Sequence, residues 1–281
     1  MAAVVQVPYS TGTGLPRLNA PRNACDCHHH IFDSRIPSEP PGAARPAASV
    51  ADYRLLQARI GTSRNVVVTA SNYGTNNEVT VAAIEQFGNG ARGVAVVDNR
   101  VTDAELKRLH DKGIRGIRFA PVAHWETVRL LARRVADLGW HIQLNIATQE
   151  VVAAERLLSE LPTMVVFDHL GRINDVNDPA LDVTKRLIDQ GRTWVKLSGH
   201  YVTSKVGAPS YADSVAVAKA YVSAAPQRIV WGSDWPHPSA QVKPDDAGLF
   251  DLNLAWAPEE TMRTQILVRN PETLYGFPDS V

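Results

Sequence analysis

Arg228-Ile229-Val230-Trp231-Gly232-Ser233-Asp234-Trp235-Pro236-His237-Pro238 is the stretch that decides the fold. Its first part is an unbroken run of β-branched and aromatic residues, which is typical of a strand buried on both faces. Gly232 ends that run, and two prolines then exclude further strand pairing and an immediate helix. Asp234 therefore lies where a buried strand opens into a rigid turn. A carboxylate held there can act as a base or, alternatively, cap the turn.

Seven further apolar runs precede this strand and alternate with helical patterns. The predicted strands cover residues 24–32, 66–70, 92–97, 114–119, 141–146, 164–167, 194–197 and 229–231. The predicted helices cover residues 50–60, 77–87, 126–138, 150–158, 179–189, 211–224 and 259–268, with one more opened by a capping box at 102–105. Eight such units predict an α/β protein, a (β/α)₈ TIM barrel in a single domain over residues 24–281. Residues 1–23 show no periodicity and are predicted to form an N-terminal arm.

The composition excludes several classes of protein. Lys plus Arg and Asp plus Glu balance at 29 each among 281 residues, which argues against a nucleic-acid or anionic-membrane partner. No apolar run approaches the roughly 20 residues of a membrane helix, and the N-terminus lacks a signal-peptide pattern, so we expect a cytoplasmic protein. Cys25 and Cys27 are too few for a disulfide framework, and we expect both to pack within a strand. No dinucleotide-binding or P-loop motif is present.

The active site of such a barrel lies at the carboxyl ends of its strands, so position along a strand tests each candidate. His28 and His30 are two apart on the first strand and share a face, which is inward if the alternation holds. A single histidine there is commonly a packed core residue. Two on one face indicate function, because each ring brings nitrogens that need partners. His169, which follows the sixth strand, is a third candidate.

Polar residues near the ends of other strands are candidates for binding a substrate. Arg118, on the fourth strand, can present its guanidinium to a carboxylate; the alternative is a salt bridge inside the barrel wall. The remaining candidates could hydrogen-bond a ligand, although a loop residue that only satisfies backbone groups is the alternative for each. They are Ser71, Tyr73, Asn145, Arg172, Tyr201 and His237.

Three motifs carry a resemblance to a known family. They are Asp-x-His-x-His at 26–30, Asp-His-x-Gly-Arg at 168–172 and Trp-Gly-Ser-Asp-Trp-Pro-His at 231–237. From about residue 15 to residue 277 the chain resembles the amidohydrolase superfamily, and within it the amidohydrolase-2 group that contains 2-pyrone-4,6-dicarboxylate lactonase and D-galactarolactone isomerase. The segments at 113–119 and 270–275 also resemble that group. These motifs are specific to the fold and superfamily and much less to the substrate.

The resemblance implies a distorted barrel that acts on a lactone or a related ester. Asp234 would activate water, His28, His30 and His169 would polarise the carbonyl group, and Arg118 with Ser71 would hold a substrate carboxylate. Two departures from the lactonase pattern concern charge: residues 120–124 read Ala-Pro-Val-Ala-His and residues 199–202 read Gly-His-Tyr-Val, where that pattern has arginines. We therefore expect fewer negative charges on the substrate than in a pyrone dicarboxylate. Residues 14–21 and the Gly199-x-Tyr201 turn resemble the galactarolactone branch more closely.

Three enzymatic hypotheses follow, with a binding or scaffold protein as the non-enzymatic alternative. The first is a lactone hydrolase, and the second a lactone isomerase in which a substrate hydroxyl replaces water. The third is a zinc-dependent amidohydrolase or decarboxylase of the same superfamily. No cofactor is expected, although zinc is possible, because His28, His30, His169 and Asp234 are all suitable zinc ligands. The expected partner is a small-molecule lactone or carboxylated substrate, and the sequence does not indicate an oligomeric state.

Overall fold

A computed structural model describes residues 6–39, 41 and 46–279. Eight parallel strands form one sheet in sequence order, with helices between them. The strands are β1 Cys25–His29, β2 Arg64–Val68, β3 Ala91–Ala95, β4 Ile114–Phe119, β5 His141–Leu144, β6 Val165–Phe167, β7 Thr193–Leu197 and β8 Ile229–Trp231. Each is short and almost wholly buried, because a parallel barrel is covered on both faces. The predicted single-domain (β/α)₈ barrel is confirmed.

Ladder pairing runs from β1 to β8, and the last gap is closed by backbone bonds just beyond the strands. The amide of Asp234 donates to the carbonyl of His28 at 2.8 Å, and the amide of His30 donates to the carbonyl of Trp235 at 2.8 Å. This seam joins the end of β1 to the turn after β8. The barrel is therefore distorted at the place where the decisive stretch meets the histidine motif.

Helices surround the barrel. They are α1 Val50–Ile60, α2 Glu78–Phe87, α3 Asp103–Asp111, α4 Trp125–Ala136, α5 Thr148–Ala153, α6 Glu155–Glu160, α7 Pro179–Asp189, α8 His200–Thr203, α9 Ala212–Ala224, α10 Asp246–Asp251, α11 Asn253–Trp256, α12 Glu260–Thr264 and α13 Asn270–Tyr275. Two differ from the prediction in kind. The helix predicted at 150–158 is two short helices, and the one predicted at 259–268 continues through a π-helical segment, Gln265–Arg269, into α13.

One end of the barrel is plugged by the C-terminal segment. Leu274, Tyr275 and Phe277 pack with inward-facing strand residues, among them Cys25 and Cys27, in a cluster separate from the main core. Both cysteines are buried and free, which agrees with strand packing. Among the described residues, this packing fills the end of the barrel opposite to the one where the strands finish.

The described part of the N-terminal arm contains no helix or strand but lies against the barrel. Val7 is buried, and the indole of Trp235 donates to the carbonyl of Pro8 at 2.8 Å. None of the helices among the described residues has both the length and the apolar character of a membrane span. The cytoplasmic location stays a prediction.

Candidate active site

The histidine motif owes its orientation to an irregularity in β1. Pairing between β1 and β2 shifts register between Asp26 and His29, and such a bulge re-aims the side chains that follow it. His29 faces outward, where its ring stacks on Tyr53 of α1 at 3.6 Å and contacts Asn65. His28 and His30 face the barrel interior together, as predicted, although the bulge interrupts the strict alternation, because Cys27 also faces inward.

Asp26 links the turn after β8 to β1 through hydrogen bonds. Its carboxylate accepts hydrogen bonds from the backbone and hydroxyl of Ser233, from the amide of His28 and from the hydroxyl of Tyr53. Gly232 is required in the same place, because a Cβ there would lie 2.6 Å from the Cβ of His28 and 2.8 Å from its backbone nitrogen. The close approach brings Asp234, whose φ is 63°, over the two histidines.

The carboxylate of Asp234 divides its two oxygens between different neighbours. Oδ1 lies 3.6 Å from Nε2 of His28 and 3.5 Å from Nε2 of His30. Oδ2 accepts a 2.6 Å hydrogen bond from the hydroxyl of Tyr201. Burial by itself raises the pKa of Asp234, but the imidazoles of His169, His30 and His28 outweigh it and hold the pKa below its usual range. Asp234 is therefore ionised, with Oδ1 open to a proton or a cation.

His169 reaches the site from a left-handed turn after β6. Every residue from His169 to Arg172 has a positive φ, and Gly199 leaves room for the ring because a Cβ there would lie 2.6 Å from Nδ1 of His169. Nδ1 is 3.0 Å from the hydroxyl of Ser198, and the ring centroid is 4.9 Å from that of His28. Burial lowers the pKa of both His28 and His169, whereas the nearby carboxylates of Asp168 and Asp234 act in the opposite direction.

A buried polar layer lies beneath these rings. Asp168 accepts from Nε of Arg118 at 2.8 Å and from Nε2 of Gln143 at 3.1 Å, and its other oxygen is 3.2 Å from Nδ1 of His28. Burial raises the pKa of Asp168, but the surrounding positive charges outweigh it and hold the pKa well below its usual range. Lys196 completes the layer, and burial lowers its pKa to about 8.

Asp168, Gln143 and Lys196 belong to the site, although the sequence pattern did not single them out as functional residues. Asp168 was visible only as part of a motif. Lys196 carried the clearest signal, since it interrupts the apolar strand Thr193–Leu197, and a cation in a buried strand needs a partner inside the barrel.

A cavity of about 770 Å³ opens above the rings at the carboxyl ends of the strands. Among the predicted site residues, those that line it are His30, Ser71, Arg118, Asn145, His169, Arg172, Tyr201 and Asp234. Two residues expected to bind substrate lie behind its wall instead. The hydroxyl of Tyr73 contacts the backbone of Asp33, and His237 bonds to Asp246 at 3.1 Å while its ring meets Tyr201 edge-on. His28 is also fully buried, beneath the cavity.

Arg118 combines a buried salt bridge with a position in the cavity wall. It forms the predicted alternative, a salt bridge inside the barrel, through Nε, and it also lines the cavity. Arg172 bonds to the side chain of Asn145 at 3.2 Å and has no carboxylate within ion-pair distance in the described part of the chain. Arg172 is therefore the cavity's less compensated cation.

The four predicted metal ligands divide into two groups. Donor atoms of His28, His30 and Asp234 lie within 4.8 Å of one another, whereas His169 groups with His28 and Asp168. Nε2 of His28 and Oδ1 of Asp234 are buried and have no hydrogen-bond partner among the described residues. Two ligands of one tetrahedral zinc ion lie roughly 3.4 Å apart. The first group therefore has atoms of the right kind and spacing to hold zinc.

Comparison with known proteins identifies the family to which this chain belongs. The Amidohydrolase family (Amidohydro_2) matches residues 25–277. A 2-pyrone-4,6-dicarboxylate hydrolase of Comamonas testosteroni is 34% identical, covering 95% of this chain and 94% of its own. A D-galactarolactone isomerase of Agrobacterium fabrum is 29% identical, with 91% of each chain covered. A crystal structure of a probable 2-pyrone-4,6-dicarboxylic acid hydrolase from Acinetobacter baumannii, with citric acid bound, has a TM-score of 0.82 and 26% identity over 91% of this chain and all of that one.

Proposed function

Since this chain belongs to the amidohydrolase family, we propose that it is a lactonase, an enzyme that opens the cyclic ester of a small carboxylic or sugar acid with water. The observation that carries the proposal is the placement of Asp234. Its carboxylate borders the cavity with Oδ1 directed at the imidazoles, and two guanidinium groups line the same space. This arrangement brings together a base, groups that can stabilise an oxyanion and cations for a carboxylate.

In the proposed reaction Asp234 takes a proton from a water molecule through Oδ1. The water oxygen bonds to the lactone carbonyl carbon, and the carbonyl oxygen gains negative charge that hydrogen-bond donors on His28 and His169 stabilise. The bond from carbon to ring oxygen then breaks, and the proton held by Asp234 passes to the departing alkoxide. The products are a hydroxyl group and a carboxylic acid on one open chain, and the acid then releases its proton to solvent.

We propose that Arg172, Arg118, Ser71 and Asn145 bind the substrate's acid group. Arg118 uses Nε for Asp168, so only the outer nitrogens of its guanidinium group are left for a carboxylate. Two arginines and two carboxylates, Asp234 and Glu150, line the cavity, so its formal charge is close to balanced. A substrate with one carboxylate suits that balance better than a dianion.

Zinc, if bound, would be held by His28, His30 and Asp234. It would lower the pKa of a bound water molecule and polarise a carbonyl group. The proposed proton transfers use only side chains of this chain, and no cofactor is proposed as essential.

A lactone isomerase is the second candidate, and the galactarolactone-isomerase relative favours it. Asp234 would then activate a hydroxyl of the substrate, and a new lactone would replace the old one.

A screen of lactones of aldaric, muconic and pyrone acids, with acid release followed by a pH indicator, tests the hydrolase. Reaction in ¹⁸O-labelled water separates the two, because hydrolysis places one labelled oxygen in the product carboxylate and isomerisation places none. Acid release by wild type and none by Asp234→Asn is the expected result; no turnover of any lactone would contradict the proposal.

A further inference from the structure

Lys196 lies in the barrel interior directly beneath His28. Its side chain is fully buried, and its ammonium group donates to the carbonyl of Cys27 at 2.9 Å and to Oε1 of Gln143 at 2.6 Å. The third neighbour is Nδ1 of His28, 3.4 Å away in hydrogen-bonding geometry. Lys196 does not line the cavity, so it can act on a reaction only through His28 and Asp168.

The contact decides which nitrogen of His28 carries the proton. An ammonium group can only donate, so a bond from Lys196 requires a lone pair on Nδ1 and leaves the proton on Nε2. Asp168 competes for the opposite tautomer, since Oδ1 is 3.2 Å from the same nitrogen. That oxygen, however, forms no hydrogen bond with a residue that the structure describes, so its contact with Nδ1 is electrostatic.

His30 has the reverse arrangement. Its Nδ1 is 2.8 Å from the carbonyl oxygen of Val68, which can only accept, so Nδ1 carries the proton and Nε2 holds a lone pair. The two imidazoles that face Oδ1 of Asp234 are therefore inequivalent. His28 presents an N–H group and His30 presents a lone pair.

The charges beneath His28 also disfavour the binding of zinc to this ring. A zinc-binding histidine usually donates its second N–H to a carboxylate, which fixes the tautomer and makes the ring a better ligand. Here the carboxylate of Asp168 is matched by two cations, Arg118 and Lys196, at 2.8 Å and 3.9 Å. A second cation placed above the ring meets repulsion from Lys196 and Arg118 that opposes its attraction to Asp168 and Asp234.

We propose that Lys196 is a positioning residue that holds His28 in the Nε2–H tautomer, so that His28 donates a hydrogen bond into the site and is a poor zinc ligand. The donor role toward a lactone carbonyl rests on the proposed function. The tautomer and the weakened zinc affinity do not. Lys196 thereby favours catalysis by hydrogen bonding over catalysis by a metal.

The test compares Lys196→Met with wild type by two measurements that use no substrate. Two-dimensional ¹H–¹⁵N correlation spectra of the histidine side chains, assigned with His28→Gln, report the tautomer. Competition with a chromogenic chelator reports the dissociation constant for zinc. We expect a proton on Nε2 of His28 in wild type and on Nδ1 in Lys196→Met. We expect zinc to bind the variant at least about tenfold more tightly, the scale on which such supporting contacts act.

Thr184→Val is the matched control, because it removes a buried hydrogen bond, from Thr184 to the carbonyl of Ala180 at 2.8 Å, on the outer helix α7. It should lower the melting temperature without changing the tautomer or the zinc affinity. Lys196→Gln, which keeps a polar group but loses the charge, replaces Lys196→Met if that variant does not fold. A proton on Nδ1 of His28 in wild type would overturn the proposal, as would unchanged zinc affinity in a folded variant. Failure to find lactonase activity would leave both measurements standing.

Discussion

The carboxylate of Asp234 meets two requirements of a catalytic base. A base needs a free oxygen, and a side chain that transfers protons also needs to be held still. Tyr201 holds Oδ2, while Oδ1 faces the imidazoles and the cavity. Burial and the nearby Asp234 raise the pKa of Tyr201 well above its usual value, so its hydroxyl keeps its proton and remains a donor. Because the two carboxylate oxygens of Asp234 have different partners, the roles of Asp234 and Tyr201 can be tested separately.

Replacing Asp234 with asparagine should lower turnover by at least about a hundredfold, the scale of a lost general base, while the protein stays folded. Steady-state kinetics on a responsive lactone measures the loss, and circular dichroism checks the fold. Asp251→Asn is the control, because Asp251 lies outside the cavity, where it pairs with Arg17. Near-normal turnover in a folded Asp234→Asn protein would remove the base assignment.

Tyr201→Phe should lower turnover by about tenfold or more, because a hydrogen bond to a charged group contributes roughly 1.5–3 kcal/mol. The Michaelis constant should change less than turnover if the hydroxyl acts mainly by holding Asp234. Tyr275→Phe deletes the same group in the C-terminal plug, where the hydroxyl is buried without a hydrogen-bond partner among the described residues, and should leave kinetics unchanged. Equal effects of the two substitutions would contradict a specific role for Tyr201.

Arg118→Lys and Arg172→Lys should each weaken turnover of a carboxylated lactone more than that of its methyl ester, because an ammonium group cannot reproduce two parallel hydrogen bonds. Arg118→Lys should also lower the melting temperature, since it disturbs the buried contact with Asp168. The ratio of kcat/KM values for acid and ester measures the effect. A ratio unchanged from wild type would assign Arg118 to structure alone.

Among the elements, the eight strands and most helices follow from the sequence, because period and strand-end chemistry are local properties. Val50–Ile60 and Pro179–Asp189 match their predicted bounds, and each begins after a side chain that caps it. The small helices after β7 and β8 were not predicted, because loop contacts rather than periodicity stabilise them.

For the site, the sequence indicated which residues end the strands. It did not reveal the polar layer under His28, whose members come from different strands and meet only through the register of the barrel.

The seam between β1 and the turn after β8 gives a prediction that removes no functional group. Gly232→Ala places a methyl group against the backbone of His28 and should lower the free energy of unfolding by about 1–3 kcal/mol. Turnover should fall as well, because Asp234 and the histidines move apart. Gly14→Ala is the control, since a Cβ there meets no atom within 4 Å. Urea unfolding and kinetics of both variants measure the difference, and identical behaviour would show that the seam tolerates movement.

At the scale of the whole molecule, one end of the barrel is devoted to stability and the other to chemistry. The C-terminal plug closes the first end mainly with apolar contacts, and the cavity opens at the second. There Asp168, Lys196 and Arg118 compensate one another below the rings, while Asp234 is left to the cavity. This distribution separates the charges that support the imidazoles from the charge that takes part in the reaction.

This distribution of charged side chains should affect whether the enzyme depends on a metal. We expect enzyme treated with a chelator to keep most of its activity on a lactone. A lactone carbonyl is already electrophilic and its leaving group is tethered, so hydrogen bonds to the developing oxyanion can supply the few kcal/mol required. An amide or phosphoester would need more, and a Lewis acid would be expected there. Metal analysis beside kinetics, before and after stripping and with zinc restored, makes the measurement. Stoichiometric zinc in the purified protein, with activity lost on stripping and regained on addition, would contradict the prediction and make His28, His30 and Asp234 ligands.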